Sequence, residues 1–170
     1  MTVTYRPAVP ADAAELGAVA TRSYVETFEG LYRQGDLDVF LPGAFGPTGL
    51  QAHVSDPAYT IRVAIDSGAI VGFAKLGPVV FPGDWPAGAI ELHQLYFVKE
   101  HLGAGIGPAL MNWAIASARA AGATELLLSV YVDNHRAKAF YARRGFVDIG
   151  RYDFAVGSTI DEDRLMRLVL

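Results

Sequence analysis

The chain has 170 residues, is 52 % hydrophobic, and carries a formal net charge of -4, which suits one domain spanning 1–170 with a substantial core and argues against a nucleic-acid binder, since that would show a basic stripe. It contains no cysteine, which excludes disulfides, a thiol nucleophile and thiolate-held metal. With neither a signal-like N-terminus nor an apolar run long enough to span a bilayer, a cytoplasmic protein without membrane association is expected.

Val3 to Ala8 reads as a first strand, and Pro10 with Asp12 opens a helix through Leu16, Val19, Ala20 and Tyr24 at helical spacing. From Ser23 to Phe40 the pattern is irregular and acidic, with Glu26, Phe28, Glu29, Tyr32, Asp36 and Asp38 close together; a solvated helix face would read the same way. Leu41 to Pro57 is rich in Gly and Pro and reads as a loop with one short helix near Thr48 to Val54. Tyr59 to Asp66 and Ala69 to Gly77 are β-rich runs joined by Ser67-Gly68, a hairpin signal. Pro78 to Gly88, with Phe81 and Trp85, suits a long loop able to reach over a site, and leads into a central strand, Ala89 to Val98.

Within Glu91 to Gly122 the strand narrows into the turn Gly103-Ala104-Gly105-Ile106-Gly107 and continues as a helix from about Ile106, with Pro108 in its first turn. Backbone N–H groups at a helix start lack intrahelical acceptors and sit at the positive end of the dipole, so the turn is a candidate anion cradle. Gly103, Ala104, Gly105, Ile106, Gly107 and Ala109 are its candidate donors and a pyrophosphate its expected guest; a tight connection packed onto a sheet is the plainer reading. The dinucleotide fingerprint fails because the third glycine falls one residue early, and no Lys-Ser or Lys-Thr pair completes a P-loop.

Glu125 to Val132 reads as a strand buried on both faces, and Asp133-Asn134 caps a helix running to about Arg144 and stopped by Gly145. Asn134, Ala137 and Tyr141 share one face of that helix. Phe146 to Ala155 and Leu165 to Leu170 close the chain, giving an α/β (α+β) order β-α-α-β-β-β-α-β-α-β-β and a mixed sheet with helices on both faces. In the central strand Glu91, His93, Leu95 and Phe97 alternate onto one face. His53, His101 and His135 lack ligand spacing, so no metal is expected, and Ser129 lacks a nucleophile elbow.

The strand followed by Leu102-Gly103-Ala104-Gly105-Ile106-Gly107 resembles motif A of the GNAT superfamily of N-acetyltransferases, and VYVDNHRAKAFYARRGF, from Val130 to Phe146, resembles its motif B; the order of elements matches from end to end. The resemblance implies a mostly antiparallel sheet of six to seven strands splayed at its centre, where the central strand parts from the next at a bulge, and acetyl transfer from acetyl-CoA to an amine. It implies that pantetheine pairs with main chain at Leu95, Tyr96 and Phe97, that a strand N–H near Phe97 meets the oxyanion, that Asn134 hydrogen-bonds the pantetheine arm, and that Tyr141 sits beside the sulfur and protonates the thiolate. Leu102 stands where Gln or Arg is usual, which implies weaker coenzyme A affinity unless His101, Lys138 or another cation compensates.

Without cysteine, an acyl-thiol enzyme is excluded and the amine attacks within a ternary complex. An alkylammonium is less than about a thousandth free base at neutral pH, a handicap of roughly 4 to 5 kcal/mol that a base or a desolvating pocket must supply. Glu91 is the first candidate base, through a water, and His93 the second. The stretch TRSYVETFEGLY, the loop to Pro57 and the C-terminal YDFAVGSTIDEDRLMRLVL are similar to the PaiA-type, polyamine acetyltransferase-like branch, which implies a cationic small-molecule acceptor such as spermidine drawn by Glu26, Glu29 and Glu91, with Tyr24 and Phe28 beside it. A peptide N-terminus, or a silent acyl-CoA-binding regulator, are the alternatives. Edge strands near either terminus are candidates for pairing into a homodimer.

Overall fold

A computed structural model describes residues 2–170. Its seven strands are β1 Thr4–Pro7, β2 Thr60–Asp66, β3 Ala69–Gly77, β4 Ala89–Phe97, β5 Glu125–Tyr131, β6 Val147–Val156 and β7 Thr159–Val169, and its helices are α1 Ala13–Thr27, α2 Gln34–Phe45, α3 Leu50–His53, α4 Ile106–Ala120 and α5 His135–Ala142. The strands form one sheet in the order β1-β2-β3-β4-β5-β7-β6, antiparallel throughout except between β4 and β5. This is the mixed, mostly antiparallel sheet expected. Among the described residues no helix is long and apolar enough to cross a membrane.

The sheet is covered on both faces because its central strands alternate between two apolar clusters. Ala64, Leu92, Leu126, Leu128 and Met166 pack under α4, whose Ile106, Leu110, Met111, Ala114 and Ala118 form a stripe at helical spacing. Ile61, Val63 and Phe73 face the other way, toward Leu16, Ala20 and Tyr24 of α1 and Phe45 of α2.

Two elements depart from expectation. Residues 34–45, expected as an irregular acidic stretch followed by loop, form α2, although it contains Gly35, Gly43 and an internal Pro42. Tertiary anchoring overrides poor propensity: Phe45 is buried, and Asp36 accepts from the Ser158 N–H (2.7 Å), the Ser158 hydroxyl (2.7 Å) and the Thr159 hydroxyl (2.8 Å). Likewise β7 begins at Thr159, not Leu165, because Gly157 at φ +57° turns a tight hairpin whose charged strand pairs with β6 along its whole length.

In β4 the bulge implied by the resemblance is present, and it overturns the alternation expected there. The strand's pairing with β3 runs Gly77↔Glu91 and Leu76↔Leu92, then Lys75↔Gln94, so His93 is the extra residue of the bulge. The expected alternation of Glu91 with Leu95 and Phe97 is therefore broken: Ile90, Leu92, Leu95 and Phe97 all pack toward α4, while Glu91 points to the opposite face, the one that carries Tyr96. Beside the bulge the sheet splays. β4 and β5 pair only through Ala89–Glu91 against Glu125–Leu127, and past Glu91 the β5-facing edge of β4 has no partner strand.

Candidate active site

The parting of β4 and β5 opens a cleft of about 1020 Å³ that reaches from the start of α4 to β7. At one end the chain is shaped by Gly103 (φ +85°) and Gly105 (φ +80°), left-handed conformations that favour glycine, and α4 starts at Ile106 as expected. Of the six candidate donors, the Ala104 N–H goes to the His101 carbonyl (3.1 Å) and the Ala109 N–H to the Gly105 carbonyl (3.1 Å). That correction leaves Gly103, Gly105, Ile106 and Gly107, which line the cleft and have no protein acceptor among the described residues. A Cβ on Gly107 would meet the Phe97 ring at 3.3 Å, so the helix start lies tight against the end of β4.

Leu102 is 44 % exposed at the cleft edge and supplies no polar group. Neither cation suggested as compensation is placed to do so: His101 is buried against Asp66 (Nε2 to Oδ2, 3.0 Å), and Lys138, which gives one N–H to the Val132 carbonyl (2.9 Å), does not line the cleft. Lys99, Arg136 and Arg143 line the cleft instead. The two arginines were missed by sequence reasoning, although 136, 140 and 143 recur at helical spacing on a stripe beside that of Asn134, Ala137 and Tyr141.

In the middle of the cleft Asn134 caps α5, its Oδ1 accepting the Ala137 N–H (3.2 Å), which leaves the amide nitrogen for a ligand. Tyr141 is half-buried between Phe140 and Phe146, and burial pushes its hydroxyl up to about 12. Across the gap, Leu95, Tyr96 and Phe97 also line the cleft, on the stretch of β4 that β5 leaves unpaired.

At the other end Glu91 is buried, and Oε2 accepts the Val80 N–H (2.9 Å). Burial pushes its carboxyl up to about 7, against the opposing pull of that N–H and of Lys75. His93 lies beside it and is pushed down to about 4 by burial and by Lys75, so at neutral pH it is an uncharged and weakly basic imidazole. Lys75 is itself buried and pushed down to about 8; its Nζ donates to His53 Nδ1 (2.9 Å), whose ring stacks on Tyr59.

The acceptor residues expected from sequence divide. Tyr24 and Phe28 line the cleft as part of an aromatic wall with Tyr32, Phe40, Phe45 and Tyr96. Glu26 reaches the cleft, but Oε1 is held by Arg22 (2.8 Å) and Oε2 by the Lys99 N–H (2.8 Å), so it ties α1 to the β4–α4 connection. Glu29 is exposed on the turn that follows α1 and does not line the cleft, because the helix ends at Thr27 and the chain swings away through Gly30 (φ +77°). The acid that sequence reasoning missed is Asp163 of β7, buried, lining the cleft, and pushed up to about 6 by burial. Its neighbour Asp161 accepts from the Tyr32 hydroxyl. Both fall in the half of β7 not read as strand.

Residues 20–146 match the model of the acetyltransferase (GNAT) family. An uncharacterized N-acetyltransferase of Mycobacterium tuberculosis is 32 % identical over 155 residues, which is 91 % of this chain and 96 % of that relative. An aminoalkylphosphonate N-acetyltransferase of Salmonella typhimurium is 31 % identical over 100 residues, 58 % of this chain and 63 % of that one. Among solved structures, the PaiA N-acetyltransferase of Thermoplasma acidophilum in complex with coenzyme A superimposes with a TM-score of 0.81 at 22 % identity, covering 100 % of both chains, a likeness of fold.

Proposed function

The chain belongs to the acetyltransferase (GNAT) family of acetyl-CoA-dependent N-acetyltransferases, and from that premise we propose that it moves the acetyl group to a primary amine by direct attack in a ternary complex. The observation that carries this reading is the single cleft with unlike ends: free main-chain donors at the start of α4, and a buried carboxylate, Glu91, at the other.

The N–H groups of Gly103, Gly105, Ile106 and Gly107 take the pyrophosphate of the cosubstrate, with Lys99, Arg136 and Arg143 supplying charge where Leu102 supplies none. Pantetheine runs between the open edge of β4 at Leu95 to Phe97 and the side chains of Asn134 and Ala137. Glu91, through a water, takes the proton that keeps the amine inert; with its carboxyl at about 7, a substantial share is ionised at neutral pH and binds a proton far better than an exposed glutamate. The N–H of Phe97 meets the oxyanion, and Tyr141, which keeps its proton at neutral pH, gives it to the departing thiolate.

The acceptor we favour is a polyamine such as spermidine. Glu91 and Asp163 are two buried acids in one aromatic-walled cleft, and cations gain there both from carboxylates and from ring faces. Lys75 favours a second acceptor class, an amine that also carries an acidic group. It is a buried cation on the cleft wall with no ion-pair partner among the described residues, and the Salmonella typhimurium relative is named for an aminoalkylphosphonate.

The test is a thiol-release assay with acetyl-CoA against polyamines, amino acids and aminoalkylphosphonates, peptides, and no acceptor. Turnover with spermidine is expected. Turnover with the acidic amines alone moves the acceptor to the second class, and coenzyme A binding without turnover on any amine replaces the enzyme reading by a silent acyl-CoA binder.

A further inference from the structure

We propose that His93 is a positioning residue for Glu91, its Nδ1 holding the proton that Glu91 takes from the acceptor, so that carboxyl and imidazole keep one proton between them. The proposal rests on the acetyl-transfer reading for its purpose, but not for its geometry.

The surroundings of the imidazole fix its tautomer. His93 Nε2 lies 2.8 Å from the Pro78 carbonyl oxygen, which can only accept, so Nε2 carries hydrogen. A neutral imidazole has one N–H; Nδ1 therefore presents a bare lone pair. That lone pair lies 3.4 Å from Glu91 Oε1, with the two side chains only 10 % and 6 % exposed. When Glu91 is ionised, two acceptors face each other with little water to separate them. When Oε1 is protonated, the contact is free to close from 3.4 Å into an O–H···N bond. His93 is thus placed to favour the protonated carboxyl without being the base itself.

The rest of the carboxylate is arranged so that Oε1 is the oxygen that takes the proton, because Oε2 already accepts the Val80 N–H (2.9 Å). Both clamps, the Pro78 carbonyl and the Val80 N–H, come from the start of the loop between β3 and β4, so one short segment orients both members of the pair. The bulge brings them together. In a regular strand residues two apart stand about 6.6 Å from each other along the chain, and the extra residue at His93 changes that spacing on the edge where β5 departs.

The other groups facing the pair come from different elements. Lys75 of β3 bears on both Glu91 and His93 and gives one of its three N–H groups to His53 at the end of α3; Tyr59 lies edge-on to His93; Tyr152 of β6 is sensitive to both Glu91 and Asp163. Lys75 and the Val80 N–H both favour the ionised carboxyl, and the bare Nδ1 of His93, 3.4 Å from Oε1, is placed to act in the opposite sense. The protons balance. One passes from the ammonium to Glu91 and is returned to solvent after turnover; Tyr141 gives its proton to the coenzyme A thiolate, and the second proton lost by the attacking nitrogen restores the Tyr141 hydroxyl.

The decisive measurement is a carbon-13 titration of the Glu91 carboxyl in the free protein, its signal identified by its loss in Glu91→Gln. It reads the pair whether or not any acceptor turns over. In His93→Phe the midpoint is expected to fall by about one pH unit, the size of one hydrogen bond lost by the protonated form. In His93→Asn, which keeps an acceptor oxygen near the Nδ1 position, it is expected to stay. A merely structural role predicts the reverse sign, because a phenyl ring makes the site less polar and raises a buried carboxyl. An unchanged or higher midpoint in His93→Phe overturns the proposal. Should that variant fail to fold, the nitrogen-15 shift of His93 Nδ1 in the unmodified protein decides: it moves upfield as Glu91 takes up its proton, and a shift blind to that step overturns the pairing.

Discussion

The two ends of the cleft are built in different ways. At the α4 end the working groups are main-chain N–H donors, set by two left-handed glycines and a helix start within one short stretch, Gly103 to Gly107. At the β7 end they are side chains, Glu91, Lys75, His53, Tyr24 and Asp163, delivered by five separate elements. On the function proposed above, the first kind of site would recognise what all its ligands share, a pyrophosphate, and the second could change its acceptor with few substitutions while the first stays as it is. Teaching from that contrast, the damage done by a substitution should fall on one partner's kinetics and spare the other's.

Glu91→Gln is the largest expected effect, a loss of about 10² to 10⁴ in kcat with the KM for acetyl-CoA unchanged; an activity within twofold of the parent would remove Glu91 from the chemistry. Tyr141→Phe follows, with a fall of roughly 10 to 10³ in kcat, and a variant that keeps full transfer defeats the acid role. Gly105→Ala forces a Cβ into φ +80°, which costs about 1–2 kcal/mol. It should raise the KM for acetyl-CoA several-fold and leave that for the acceptor alone; equal rises in both would mean that the ends are not separable. Asp163→Asn should do the opposite, raising only the acceptor KM, while Glu29→Gln should change neither.

The smallest effect is on stability. Glu91 has a folded value near 7 against 4.5 for the ordinary group, so the folded state holds its proton over that window while the unfolded chain has lost it. Its contribution is fully present below about pH 4.5 and is lost as pH rises through about 7. Urea melts at pH 5 and pH 8 should therefore show a smaller drop in stability for Glu91→Gln than for the parent, and identical drops would contradict the burial argument.

The same contrast explains what was legible in the sequence. The start of α4 at Ile106 and the cap at Asn134 are decided by neighbours in the chain, and both could be read from residue type and spacing. The acceptor end depends on contacts between distant segments. Nothing local marks α2, whose Pro42 and two glycines argue against a helix that Asp36 and Phe45 nevertheless dock. The charged first half of β7 hid Asp161 and Asp163, because a hairpin with one polar face lacks an apolar signature. The bulge at His93 is invisible to a period-two count, and it alone reverses the face assigned to Glu91 relative to Leu95 and Phe97. Glu26 and Glu29 looked like acceptor ligands from proximity in sequence, but the end of α1 at Thr27 sends one to a structural tie and the other to solvent.

Three residue pairs, Ala89–Glu91 with Glu125–Leu127, are the whole of the parallel seam across the middle of the sheet. Beyond it lie a plate of four strands and a plate of three, bridged over the acceptor side by Tyr32 with Asp161 and by Asp36 with Ser158 and Thr159. A pantetheine arm laid along the open edge of β4 would act as a suture between the plates. Cosubstrate binding would then be felt as rigidity: slower amide exchange in β4 and β5 together, and a melting temperature that climbs with the logarithm of coenzyme A concentration.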